Sequence, residues 1–344
     1  MRIMGRPRAL VAVVAGALLL AGCGSGPSQV GAASILGDQS FGLDRVQSMI
    51  DQAVRDQPYA QKLARENKVV LLGREIVRQG ALHQLITYAA KKENIVADQA
   101  KIAQIAATLP GAPVTDTGQG DSLAVAQIAA NVRDRGERAS DTYLERQLAA
   151  KFLPKLAVSA DYVGFSATAA NDPEARARAF DVAKQFAADP SKVQAAVQAA
   201  GQELQQSQQT GQPGPNGFSD AGLTSVFGAA QYPALAETVL FGSPANSVVA
   251  FQPRMPAKPD WYVFVLRTRG TDQPVPADGE PQKPTDDQLT AIGTRLLQPY
   301  VGESGLRINP RYGVWDAATM GVVPNLDAAP ALIVPVAGPG RTQQ

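Results

Sequence analysis

Reactive and metal-binding side chains are scarce in this sequence. Its 344 residues include one cysteine, Cys23, and one histidine, His83. A single cysteine excludes a disulfide within the chain, and one histidine beside it is too few for a zinc site. His83 would be the only base available to a Ser-His-Asp triad, and the Gly-x-Ser-x-Gly pattern is missing. We therefore predict neither a metal nor a cofactor, and we interpret His83 as a histidine on the flank of a helix.

Excess charge is also absent. The 32 basic and 31 acidic residues give a net charge of +1, which disfavours nucleic acid as a partner and electrostatic attachment to a membrane. The Gly-rich residues 22–26 follow an apolar run rather than a strand, so we predict no nucleotide site. Outside the N-terminal region no stretch approaches the ~18 apolar residues of a transmembrane helix.

The N-terminus carries the strongest signal in the sequence. Three arginines lie within the first eight residues, followed by an apolar run at 10–20 and by Leu-Ala-Gly-Cys at 20–23. A basic start, an apolar core too short to span a bilayer, and small residues before a cleavage site predict a secretory signal peptide at 1–22.

Residues 20–23 also resemble the lipobox of bacterial lipoproteins. In that family the cysteine is diacylated and becomes the first residue of the mature chain. The resemblance implies that Cys23 is the lipidation site and that 23–33 holds the lipidated cysteine and a flexible spacer. It further implies an extracytoplasmic protein, lipid-anchored to the outer face of the cell membrane.

Helical periodicity dominates residues 34–154. Apolar stripes predict one helix from residue 43 and others over about 68–92, 97–109 and 121–152. We therefore expect a mainly helical domain in this part of the chain.

The pattern changes at Pro154. Residues 158–167 are rich in strand formers, and Asp172 precedes a proline, which predicts a capped helix start. We interpret 155–270 as a small α+β unit. Within it, the polar Gly/Pro/Gln stretch 205–222 is predicted to be an unpacked loop.

The C-terminal part is predicted to return to the helical domain. After a linker at 271–284, Thr285 opens a capping box and a helix with one apolar face. We expect 285–323 to pack on the N-terminal helices and 324–344 to be a disordered tail. The aromatic and Arg-rich cluster at 309–316 is interpreted as an edge strand and turn, with a partner contact as the alternative.

Four segments carry a resemblance to a known family. A strand and helix at 35–56, a long helix at 68–95, the stretch at 232–249 and a last strand at 261–266 occur in this order. The order resembles that of SurA-type chaperones and related parvulin-containing lipoproteins. It implies an α+β fold: a mainly helical SurA-N-like domain with a returning C-terminal helix and an inserted parvulin-like α+β unit.

The parvulin resemblance lacks the residues of that family's active site. Active parvulins carry a histidine in the first strand and another in the last, whereas 160–166 and 261–267 contain none. A group that favours the twisted amide over both planar forms is therefore missing. We expect a degenerate, non-catalytic unit, with Asp161 as the one weak candidate for a polar group in a proline site.

These observations together predict a holdase chaperone that binds unfolded exported polypeptides without nucleotide. The candidate client-binding residues lie on the helices: Leu72, Ile76, Leu82, Ile86 and Tyr300. One alternative is an active parvulin-type peptidyl-prolyl isomerase, and a second is an envelope structural or adaptor lipoprotein.

Overall fold

The structure is a computed structural model that describes residues 30–118, 120–169, 172–212, 214–253, 259–271, 280–326 and 330–337. The predicted signal peptide, Cys23 and most of the predicted linker lie outside these residues. The fold is α+β, and the described sheets are antiparallel.

The N-terminal part consists of a strand hairpin followed by helices. Its elements are β1 (Ala32–Leu36), β2 (Gln39–Gly42), α1 (Leu43–Asp56), α2 (Pro58–Arg65), α3 (Val69–Lys92), α4 (Gln99–Thr108), α5 (Asp121–Asn131) and α6 (Arg135–Phe152). The long helix α3 packs against α1, α5, α6 and β1, so it lies at the centre of this domain. Such all-round contact requires apolar residues on most of its circumference, which the sequence of α3 supplies.

The α+β unit follows directly. Its elements are β3 (Ala157–Phe165), α7 (Pro173–Ala188), α8 (Lys192–Thr210), β4 (Phe218–Gly228), α9 (Pro233–Ala236), α10 (Val239–Gly242), β5 (Ser247–Phe251) and β6 (Trp261–Gly270). The predicted cap at Asp172 is confirmed, because its carboxylate accepts the backbone N–H groups of Glu174 and Ala175.

The last elements pack on the N-terminal domain, and the final strand joins the sheet of the α+β unit. They are α11 (Asp286–Leu296), α12 (Gln298–Ser304), β7 (Arg307–Ile308), β8 (Val314–Asp316), β9 (Gly321–Val323) and β10 (Leu332–Pro335). The five-stranded sheet of the α+β unit has the order β10-β5-β6-β3-β4. Because side chains alternate along a strand, Val163 and Val263 face α7 and α8, whereas Tyr162 and Phe264 face the opposite side.

The returning helix α11 packs on α6, as the sequence predicts. The capping box at Thr285 is confirmed, since its hydroxyl accepts from the Gln288 backbone N–H while the Gln288 side chain accepts from the Thr285 N–H. The two helices approach so closely that a β-carbon on Gly293 would lie 2.1 Å from the carbonyl oxygen of Glu145. Glycine is therefore required at this crossing.

The first two strands of the described chain and the short strand β7 form a second, three-stranded sheet. β1 pairs with β2 and with β7, and Ser34 lies opposite Ile308. The cluster at 309–316 packs on the same domain: Asn309 donates its backbone N–H to Ala33 O, and Arg74 Nε donates to Tyr312 O at 3.1 Å. The interpretation of this cluster as an edge strand and turn is confirmed.

Three sequence predictions about irregular segments are wrong. The predicted unpacked loop 205–222 contains the end of α8 and the start of β4, because Glu203 accepts backbone N–H groups from Asn216 and Phe218 and so orders the turn. The predicted disordered tail contains β10, which pairs with β5 through strand-forming residues. The last two residues of the predicted spacer belong to β1 and are buried.

Candidate functional site

The five predicted client-binding side chains are not accessible. Leu72 and Ile76 are fully buried in the core around α3, and Leu82 and Ile86 lie in the core shared with α6 and α11. Tyr300 is 8% exposed, and its hydroxyl donates to Glu93 Oε1 at 2.7 Å. The prediction of an apolar client cleft is wrong for Leu72 and Ile76, which the chain's own helices cover. Leu82 and Ile86 border a charged cavity among α3, α6 and α11, and Tyr300 borders another, but each of the three is no more than 8% exposed.

Asp161, the candidate polar group of a proline site, has a structural role. Its side chain is fully buried, accepts the Thr224 backbone N–H at 2.7 Å, and forms an ion pair with Arg267. Strand alternation places it on the face toward α7 and α8. Thr224 has φ of 51° and lies where β4 bulges against β3, so Asp161 stabilises this bulge. Asp161 is not among the residues that line the cavity on the opposite face of the sheet.

The opposite face of the sheet carries a cavity of about 300 Å³ that is mostly apolar and is lined by five aromatic rings. We call it the aromatic pocket. It is lined by Tyr162, Asp220, Phe227, Tyr232, Pro233, Ala234, Leu235, Pro253, Tyr262, Phe264 and Gln282. This volume is at the lower end for small-molecule or side-chain binding sites.

Five rings give the aromatic pocket a floor and a wall. Tyr162 and Phe264 stack with their centroids 5.2 Å apart and their planes 27° apart, and Tyr262 lies nearly parallel to Phe264. Phe227 stands at 79° to Phe264 and at 72° to Tyr232. Tyr162, Tyr262 and Phe264 form the floor. Their rings are adjacent because β3 pairs with β6 and because residues two apart on β6 share a face. Tyr232, at the start of α9, is 44% exposed, so the pocket reaches solvent.

Asp220 is the one charged group among the described lining residues. Its Oδ1 atom accepts the Ala221 backbone N–H at 2.8 Å and the Tyr162 hydroxyl at 3.3 Å. Burial and the charge of Asp220 raise the pKa of Tyr162 to about 12, and burial with Asp220 and Asp260 does the same for the pKa of Tyr262. Both hydroxyls therefore remain protonated and neutral near neutral pH.

A second cavity, of about 280 Å³, lies among α3, α6 and α11 and is charged rather than aromatic. Beside it, His83 Nδ1 lies 2.7 Å from Asp141, and the ligand atoms of His83, Glu137 and Asp141 lie within 4.8 Å of one another. Arg133 donates to both carboxylates, at 2.7 Å to Glu137 and at 2.5 Å to Asp141. Hydrogen bonding to Asp141 raises the pKa of His83. These groups already compensate one another as an ion-pair cluster.

None of the helices in the described part of the chain combines the length and apolar character needed to cross a membrane. Comparison with protein-family models, with curated proteins and with solved structures finds no match to this chain. The aromatic pocket was not predicted from the sequence, although Tyr262 and Phe264 alternate with valines on one strand and so place two rings on one face.

Proposed function

We propose that this protein is a lipid-anchored extracytoplasmic folding factor that holds unfolded or partly folded exported polypeptides. The aromatic pocket, an apolar cavity that reaches solvent through Tyr232, carries the proposal. The anchor rests on the lipobox resemblance at Cys23, and the class rests on the resemblance to SurA-type proteins. The client surface is thus assigned to the α+β unit rather than to the N-terminal helices.

The strength of the pocket suits reversible holding. Burying the apolar carbons of one client side chain against the rings contributes at most about 1.5–3 kcal/mol, and ordering of the client segment offsets part of this gain. Binding of a single segment is therefore weak, and the client can leave without energy input. This agrees with the absence of a nucleotide motif from the sequence.

Holding is favoured over prolyl isomerisation. Asp161 lies on the opposite side of the sheet from the aromatic pocket and is held by Arg267 and Thr224. The α+β unit is accordingly proposed to be a degenerate, non-catalytic parvulin-like unit, because isomerisation requires groups that bind the twisted amide more tightly than the planar forms.

The test compares two exposed apolar residues of the α+β unit. Tyr232 lines the aromatic pocket and is 44% exposed, whereas Leu223 is 42% exposed and does not line it. Light scattering would follow aggregation of an unfolded reporter protein in the presence of the whole chain. We expect Tyr232→Ala to reduce protection severalfold, and Leu223→Ala to preserve it.

Two results would contradict the proposal. One is full protection by Tyr232→Ala, and the other is an equal loss in both variants, since that would indicate general surface stickiness. Proline-limited refolding measured with the same samples should show no acceleration, and clear catalysis would favour the isomerase alternative.

A further inference from the structure

The aromatic pocket combines ring faces with a carboxylate oxygen that has no partner among the described residues. Asp220 Oδ1 accepts two hydrogen bonds, whereas Oδ2 accepts none from the described part of the chain. The rings of Tyr162, Phe227 and Tyr232 surround the same space. Among the described residues that line the pocket, no cation offsets the desolvation of this half-buried carboxylate.

We propose that the aromatic pocket is a cation-binding cage that selects the lysine or arginine side chain of a client segment. The inference rests on the proposed function and deepens it, since it names the class of side chain that the pocket binds. The faces of aromatic rings are electronegative and attract ammonium and guanidinium groups. Asp220 supplies the full negative charge that such a group would pair with.

The surrounding charges support a cation rather than a neutral or acidic side chain. Asp260, at the start of β6, is buried and adds negative charge near Tyr262. No basic side chain is among the described residues that line the pocket. A prolyl or aromatic side chain would leave Asp220 unpaired, and an acidic one would be repelled by it.

The ion-pair cluster beside His83 provides the contrast within the same molecule. There, Arg133 compensates both Glu137 and Asp141 at hydrogen-bond distance. At the aromatic pocket the corresponding cation is missing from the described residues. A lysine or arginine of the client would pair with Asp220 as Arg133 pairs with Glu137 and Asp141.

The experiment uses two fluorescent peptides that differ at one position. Both are extended Gly/Ser peptides, one with a central lysine and the other with norleucine, which lacks only the amino group. Binding to the whole chain is measured by fluorescence anisotropy. We expect the lysine peptide to bind about tenfold more tightly, as a cation desolvated against aromatic rings and a carboxylate would.

Asp220→Asn should abolish this preference without loss of folding, because the amide oxygen can still accept from Ala221 N and Tyr162 Oη. Asp181→Asn is the matched control, since it removes the same charge from the exposed face of α7. Equal binding of both peptides by the native chain would overturn the inference, as would a preference that survives in Asp220→Asn.

The outcomes separate this inference from the proposed function. If both peptides bind equally and Tyr232→Ala weakens both, client holding stands and cation selection is wrong. If neither peptide binds and Tyr232→Ala does not alter aggregation, both are wrong.

Discussion

The two faces of the five-stranded sheet are formed by the same strands but treat their polar groups differently. On the face toward α7 and α8, Asp161 is fully buried and both of its oxygens are paired. On the opposite face, Asp220 keeps one oxygen without a described partner beside five aromatic rings. Helices cover the first face, whereas the second is covered by α11 and α6 at one end and forms the aromatic pocket at the other.

This difference indicates that Asp161 stabilises the fold, whereas Asp220 is available to bind a ligand. A buried carboxylate whose oxygens are all paired contributes to folding, and its removal leaves other groups unpaired. A carboxylate with a free oxygen at the rim of a cavity contributes little to folding and can pair with a ligand instead. Residue type alone does not distinguish Asp161 from Asp220, since both lie on strands of one sheet.

The largest effect is expected where α11 covers the second face. Gly293→Ala should lower the free energy of unfolding by about 3 kcal/mol, because the new methyl group would overlap the Glu145 carbonyl. Alanine otherwise favours helix by about 1 kcal/mol over glycine. Gly201→Ala in α8 is the control, since nothing lies within 4 Å of its β-carbon position. Urea unfolding measures the free energy of unfolding of both variants. An unchanged value for Gly293→Ala would show that α11 does not pack closely on α6.

A smaller, pH-dependent effect on the free energy of unfolding is expected at the same contact between α6 and α11. Burial raises the pKa of Glu145 from 4.5 to about 7, and its Oε1 accepts the Thr294 hydroxyl at 2.6 Å. Because the folded state holds this proton more tightly than the unfolded state, the stabilisation is complete below pH ~4.5 and is lost as pH rises through ~7. We expect a loss of up to about 2 kcal/mol between pH 5 and pH 8.

Urea unfolding at several pH values checks this prediction. Glu145→Gln, which resembles the protonated acid, should not show the Glu145 contribution to the pH dependence. A variant that follows the native chain at every pH would exclude Glu145 as its source. The raised pKa of His83 acts in the same direction and should remain in the variant.

The smallest effect sharpens the comparison of the two aspartates. Asp161→Ala should cost about 1.5 kcal/mol, because Thr224 N loses its acceptor and Arg267 its partner. Binding of the lysine peptide should not change. Asp220→Asn should show the reverse, with stability within about 0.5 kcal/mol of the native chain and the peptide preference lost. Calorimetry measures the stability of both variants, and fluorescence anisotropy measures their binding of the lysine peptide. If both variants lost binding, the two aspartates would not have different roles.

Sequence reasoning succeeded where the signal is local. The starts of α7 and α11 could be predicted because Asp172 and Thr285 form caps with residues two or three positions away. The return of α11 to α6 followed from its apolar face. The order of elements led to the α+β class, which the described structure has.

Prediction failed where distant segments decide the outcome. The apolar stripe that includes Leu72 and Ile86 indicates only that something covers α3, and the chain's own helices do so. The aromatic pocket draws Tyr162, Phe227 and Phe264 from three strands, and strand order alone brings them together. The partners of Asp161 could not be predicted either, because Thr224 and Arg267 lie on other strands of the sheet.

The pairing of β1 with β7 has a consequence for how the chain is made. Ser34 and Ile308 emerge from the ribosome far apart in time, so the N-terminal domain lacks its third strand and α11 until the chain has been synthesised past β7. The stretch from β3 to β6 is contiguous and can fold earlier. Until α11 packs on α6, the apolar residues of α6 that it covers remain exposed, so a newly made chain resembles the unfolded chains that this protein is proposed to hold.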